Sequence, residues 1–234
     1  MRAQLDRNRN PKYSEVLTDL LQERYSCRGF LPYPVSRTTI ETILGIAQRT
    51  ASWCNSQPWQ ISIASGAALL RLREQLLQHV RSNAPQPDFP WPSGYHGVYK
   101  ERRRECGLQL YQSVGIAAGD RQAGELQRLE NFRFFGASHV AIISTDRELG
   151  AYGAIDCGAY VANLVTAAHA LGIASIAQAA LAAYPDFWRE HLELGEDRLI
   201  VCGISFGYED PDHPANGFQT SRAGIAQVVN WVDR

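Results

Sequence analysis

From Gly158 to Ala183 the chain reads GAYVANLVTAAHALGIASIAQAALAA, almost entirely small or apolar, with Asn163, Thr166, His169 and Gln178 as interruptions. No charge breaks it, so it must be hidden from water, and this decides where the rest of the chain can go. About 20 apolar residues suffice to cross a bilayer. The recurring polar residues and Gly172 oppose a span, and small side chains suit close approach of two backbones. The run therefore predicts a helix packed in a core or between subunits.

A chain of 234 residues that is 45% hydrophobic supports one well-filled core, so a single domain over 1–234 is expected. Its 23 basic and 24 acidic residues nearly cancel and form no long basic run, which argues against nucleic acid as a partner. The N-terminal MRAQLDRNRNPKY leads into no apolar stretch of signal-peptide length, so the expectation is a cytoplasmic protein. Five scattered cysteines without CxxC spacing read as reduced thiols, and the six histidines form no HExxH pair, so no metal site is expected.

Val16, Leu17, Leu20 and Leu21 mark an amphipathic helix after Pro11. Thr38 and Glu41 have capping-box spacing ahead of a helix carrying Ile40, Ile43, Leu44 and Ala47. Ile61–Ser65 reads as a strand, and Leu69, Leu72, Leu76 and Val80 as the stripe of a further helix. Residues 83–99 hold four prolines and four aromatics, too many for a regular element or a plain linker, and read as a covering loop. ERRREC should open a helix with Leu108, Tyr111 and Val114 facing inward. His139–Thr145 and Leu199–Phe206 read as buried strands. Helices around a few separated strands predict an α+β fold rather than strict βαβ alternation.

Three motifs carry chemistry. Gly203–Gly207, GISFG, matches the GxSxG nucleophile elbow, which requires a helix directly after the serine; YEDPDHP follows instead, and its prolines forbid one. No GxGxxG or GxxxxGK[ST] occurs, so a phosphate would have to be held by side chains. In Arg24-Tyr25-Ser26-Cys27-Arg28, alternate residues Arg24, Ser26 and Arg28 of an extended segment could present two guanidinium groups and a hydroxyl to one phosphate; a solvated helix end explains the same residues. Arg222, after Thr220-Ser221, has the same two readings. TASWCNSQPWQ (Thr50–Gln60) places Asn55 and Gln57, whose carboxamides both donate and accept, beside Trp53 and Trp59. Pro58 should hold Gln57 extended, so that both carboxamides project to one side. That pattern complements a flat ligand with an alternating acceptor and donor edge, such as a flavin pyrimidine; a satisfied turn with Trp59 in the core accounts for it equally.

Taken in order, RYSCRGF, TASWCNSQPWQ, YKERRRECG, NFRFFGAS, GIASIAQAALAAYPD and CGISFGYEDPDHPANGFQTSRA resemble the FMN-dependent nitroreductase family over nearly the whole chain. The resemblance implies a mainly antiparallel sheet flanked by helices in an intertwined homodimer, with FMN held between subunits. It implies that Arg24, Tyr25, Ser26, Arg28 and Arg222 bind the cofactor, that Ser52, Trp53, Asn55 and Gln57 reach it from the other subunit, and that Gln178, Ala179, Ala180 and Leu181 line it through backbone groups. Many family members have Ala-Pro-Ser where this chain has Thr50-Ala51-Ser52, and Gly where it has Ala179. The implied activity is ping-pong hydride transfer from NADH or NADPH through the flavin N5 to a nitroaromatic or quinone, with no catalytic side chain and with residues 83–135 near the substrate. Alternatives are a specialised FMN enzyme of the same fold (a flavin-destroying benzimidazole synthase, a reductive dehalogenase or a biosynthetic oxidase) and a non-catalytic flavin-binding protein.

Overall fold

The computed structural model describes residues 11–233; the N-terminal stretch read above for an export signal lies, through Asn10, outside them. Among the described residues the elements are α1 (Pro11–Glu23), α2 (Arg37–Ala47), β1 (Gln60–Ser65), α3 (Gly66–Ser82), α4 (Gly97–Ser113), α5 (Arg121–Leu129), β2 (His139–Asp146), α6 (Gly150–Ala170), β3 (Ala174–Gln178), α7 (Pro185–His191) and β4 (Arg198–Gly207). The strands form one sheet in the order β1-β2-β4-β3, antiparallel at every pairing, as the α+β reading expected.

Central β2 is buried along nearly its whole length because both sheet faces are covered. Val140 and Ile142 point into a core built with Leu69, Leu72 and Leu76 of α3, Phe132 and Phe134 of the 130–136 turn, and Trp188 of α7. Ala141 and Ile143 point the other way, onto Ile40 and Ile43 of α2 and Tyr160 and Leu164 of α6. The register shifts between Ile143 and Ser144, whose partners on β4 are Cys202 and Ile200. That bulge puts Ile200 in the first core and Ile204 in the second, although an even spacing would place them on one face.

The Gly158–Ala183 run is three elements: the second half of α6, then β3, then a 3-10 turn over Ala179–Ala183. Gly172, at φ +73°, ends the helix. Its N–H donates to the His169 carbonyl and that of Ile173 to the Ala168 carbonyl, the Schellman pattern that lets a chain leave a helix sharply. Among the described residues no helix is long and apolar enough to cross a membrane.

Three local expectations are corrected. The cap of α2 is Ser36, whose side chain accepts from the Thr39 N–H, so the Thr38/Glu41 box is not formed; Glu41 pairs instead with Arg37 at 2.8 Å. Helix α4 starts at Gly97, four residues before Glu101, and buries none of its residues. Leu108 and Tyr111 are exposed and Val114 is only half-buried, because α2, α3, α6 and α7 already cover the sheet and leave α4 at the periphery. Residues 83–96 form the proline-rich loop, and a buried ion pair that the sequence did not suggest fixes its middle. Asp88 accepts from Arg189 at 2.9 and 3.1 Å and from the Ile200 N–H at 2.8 Å.

Candidate active site

Residues 24–28 run extended beside the sheet edge, where Ser26 bridges to Ser175 of β3. The segment is clamped from behind. The Tyr25 hydroxyl donates to Glu209, and burial followed by that hydrogen bond pushes the phenol well above its ordinary pKa, so it stays a donor. Asn216 accepts from the Arg28 N–H at 2.7 Å and donates to the Gly29 carbonyl at 2.9 Å. The expected grouping forms: Arg24, Tyr25, Ser26, Arg28 and Arg222 line one cavity of about 370 Å³ together with Phe218. Arg28 lies 5.9 Å from the centroid of the Phe218 ring.

Among the described residues, none of Arg24, Arg28 and Arg222 pairs with a carboxylate. Burial lowers the pKa of Arg24, and the positive Arg222 lowers it further; burial also lowers that of Arg28. Charged groups gathered and desolvated without a counter-ion are costly unless an anion completes them. This donor set fits the phosphate of FMN, and Arg222, braced on the Thr220 hydroxyl at 2.8 Å, closes its side.

The Thr50–Gln60 loop lies elsewhere in the chain and lines none of the cavities around Arg24. It is tied to α6: Asn163 donates to the Thr50 hydroxyl at 2.7 Å, the Trp53 N–H donates to Asp156 at 3.1 Å, and the rings of Trp53 and Tyr152 meet edge-on at 4.2 Å. Cys54, Asn55 and Gln57 all adopt positive φ. The extended conformation expected for Gln57 is thus wrong. A tight turn closed by the Gln57 N–H donating to Ser52 Oγ at 2.9 Å overrides the influence of Pro58. The Gln57 carboxamide folds back to accept from Gln48 at 3.0 Å, while that of Asn55, exposed, has no partner among the described residues. Trp59 is core, stacked on Tyr160 at 4.8 Å, whereas Trp53 is exposed. Three non-glycine residues held left-handed in one exposed turn are a strained arrangement of the kind found at binding sites.

Gln178 ends β3 with its side chain turned inward. Ser205 Oγ donates to its Oε1 at 2.5 Å, and its Nε2 donates to the Asn131 carbonyl at 2.9 Å. Its carboxamide is therefore spent inside the protein and braces the strand end. Beyond it Ala179 is exposed and Ala180 half-buried, so their backbone is accessible, while the Leu181 side chain is fully buried and packs so closely on Gly203 that a Cβ there would stand 2.3 Å from it. This explains GISFG: Ser205 is a fully buried hydroxyl in mid-strand, Gly203 makes room for Leu181, and no helix follows.

The structure adds residues that the motifs did not identify. Asn216 and Phe218 shape the Arg28 side, and Cys106 of α4 sits between the 370 Å³ cavity and a larger one of about 680 Å³. Asn216 stands in a turn-rich segment where a structural asparagine is unremarkable, and α4 has no apolar stripe to reveal which side faces the site.

Comparison with known proteins gives the family. The model of the Nitroreductase family matches residues 21–208. Nitroreductase NfnB of Mycolicibacterium smegmatis is 36% identical over 213 residues, 91% of each chain, and a 4-nitrobenzoate reductase of a Nocardioides species is 30% identical over 93% of this chain and 90% of its own. Among solved structures, FMN-dependent NfnB from Mycobacterium smegmatis in complex with NADPH aligns with TM-score 0.90 at 35% identity, covering 94% of this chain and 100% of its own. FMN- and NADPH-dependent NfnB from a Sphigopyxis strain aligns with TM-score 0.89 at 29% identity, covering 93% and 99%.

Proposed function

The chain belongs to the nitroreductase family, and from that premise we propose that it is an FMN-dependent oxidoreductase that uses NADPH to reduce nitroaromatic or quinone-type acceptors. The observation that carries the reading is the convergence of Arg24, Ser26, Arg28 and Arg222 on one cavity without a carboxylate counter-ion. When bound, FMN would supply the redox chemistry, hydride transfer between the nicotinamide and the acceptor.

The residues of the chain position and stabilise. Arg24 and Arg222 would hold the phosphate with charge-assisted hydrogen bonds, and the Ser26 hydroxyl would supplement them. Arg28, held in place by Asn216, would stabilise negative charge on the flavin. Gln178, locked by Ser205 and Asn131, fixes the course of the backbone at Ala179 and Ala180 against the flavin. Segment 83–135 borders the site and leaves room for donor and acceptor only in turn. No side chain acts as general acid, since solvent protonates the product.

The active unit is a homodimer. Ala151, Ile155, Gly158, Ala159 and Ala162 form an exposed stripe along α6, and a Cβ at Gly158 would meet nothing within 4 Å of its own chain. Glycine in a helix interior is less stable than alanine by about 1 kcal/mol, which close approach of a second backbone offsets. Exposed Val16, Leu17 and Leu21 of α1 extend the apolar surface. In the dimer, Ser52, Trp53, Asn55 and Gln57 of each subunit complete the flavin site of the other. The described cysteines are all free, in keeping with a reducing cytoplasmic setting.

The experiment is direct. The purified protein should carry FMN, NADPH should bleach it anaerobically, and a nitroaromatic or quinone should restore the colour. A protein that takes up no FMN, or whose flavin no nicotinamide reduces, refutes the proposal.

A further inference from the structure

The 370 Å³ cavity that holds Arg24, Arg28 and Arg222 adjoins the 680 Å³ cavity, with Cys106, Thr220 and Arg222 common to both linings. The larger one is bounded by α4 and the C-terminal segment, and its polar lining includes Arg102, Glu105, Gln109, Thr220, Ser221, Arg222 and Gln227. A flavin mononucleotide has a single phosphate, and the smaller cavity already supplies the donors for it. The larger cavity adds Arg102 beside that phosphate site.

Charge makes the same point. The joined linings hold four guanidinium groups, Arg24, Arg28, Arg102 and Arg222, against the single carboxylate of Glu105, a net of three positive charges. A phosphate monoester carries about −1.5 to −2 at neutral pH, so FMN leaves the basin positive. Among the described residues Arg102 pairs with no carboxylate, and the contact at its Nη2 is a 3.5 Å hydrogen bond to Gln227. About one positive charge remains, beside hydroxyl and amide groups suited to a ribose.

We propose that this second basin binds the adenosine 2′-phosphate of the nicotinamide donor, with Arg102 as its recognition residue, which makes NADPH rather than NADH the preferred reductant. The inference rests on the flavin reading above and adds a subsite to it. Arg102, on the exposed side of α4, meets the phosphate, Arg222 faces both the flavin phosphate and the donor, and Thr220 and Ser221 lie against the ribose. Glu105 in the same lining contributes to discrimination: its carboxylate suits a free ribose hydroxyl, so the arginine is what turns the basin toward a phosphorylated one.

The test is a calorimetric titration of the FMN-loaded protein with adenosine 2′,5′-bisphosphate and with adenosine 5′-monophosphate, which separates the 2′-phosphate from any site for a phosphate in general. The bisphosphate should bind about tenfold more tightly or better, the change that one charge-assisted hydrogen bond produces. Arg102→Gln should erase that difference and raise KM for NADPH with a much smaller effect on kcat. Arg103→Gln serves as the control for loss of charge: Arg103 is exposed, lies 5.2 Å from the Tyr95 ring and lines neither cavity, so its replacement should keep the preference. Equal affinity for the two adenosine phosphates, or a preference that survives Arg102→Gln, overturns the proposal. Because the titration does not depend on turnover, a loaded protein that prefers the bisphosphate but cannot be reduced would refute the proposed reaction and leave the subsite standing.

Discussion

Arg24 and Arg222 repel one another across an anion cavity, an arrangement whose worth is realised only when the anion is bound. Replacing either by Ala should weaken FMN binding by about 1.5–3 kcal/mol, the usual range for a hydrogen bond to a charged group. Fluorescence titration of apoprotein measures this, and unchanged affinity in both variants and in the double variant would discard the phosphate assignment. Ser205 makes the opposite case, a residue in a catalytic-looking motif whose contribution is structural. Ser205→Ala strips a buried acceptor, Gln178 Oε1, of its donor and should lower stability by about 1–3 kcal/mol while leaving turnover within a few-fold. Loss of activity with flavin retained would instead give the hydroxyl a chemical role. His139, buried against Phe206, has its pKa lowered from 6.5 by desolvation. Below pH 6.5 the unfolded chain therefore takes up a proton that the folded chain resists, so stability falls as pH drops from there through the folded value. His139→Phe should flatten that acid limb in denaturant titrations across pH 4–7; an unchanged slope would place the acid sensitivity elsewhere.

At the scale of elements, α6 has two unlike faces. Tyr160, Leu164 and Ala168 pack on the sheet, and the exposed Ala and Gly stripe opposite is too smooth and apolar for a surface that faces only water. Ala159→Glu puts a charge in the middle of that stripe without touching the core of its own chain. The expected result in sedimentation is a shift from dimer to monomer at micromolar protein, with loss of FMN because the Ser52–Gln57 loop no longer meets the partner site. A variant that stays dimeric and yellow would move the interface off α6. Stripes that pack on the sheet, as in α2 and α3, were legible from spacing alone, since their apolar residues recur on a single face. In α4 the apolar residues follow no such stripe, and Leu108 and Tyr111 stay exposed.

For the whole molecule, one flavin under one cover implies that donor and acceptor share a binding place and leave it in turn. Double-reciprocal plots at several acceptor concentrations should then be parallel. Intersecting lines would indicate a ternary complex and defeat the shared-site scheme, whatever the fate of the dimer. Asp88 and Arg189 bear on this cover, because their buried ion pair fixes the loop at its middle while the following α4 stays at the periphery.

The sequence by itself determined the α+β class, the central strands and the placing of three polar residues of the candidate site on one segment. Buried strands and sheet-facing helix stripes are written in hydrophobic periodicity, and Arg24, Ser26 and Arg28 are neighbours on one extended segment whose alternation needs no tertiary information. Only the tertiary structure decided what depends on distant groups. It turned Gln57 left-handed, because Ser52 closes the turn and Gln48 claims the carboxamide; it sent the Gln178 side chain inward to Ser205 and Asn131; and it brought Arg222 and Arg102 to the basin beside Arg24. In each case the local preference amounts to a fraction of the free energy of a buried hydrogen bond or a desolvated charge, and the partner that tips the balance lies on another element.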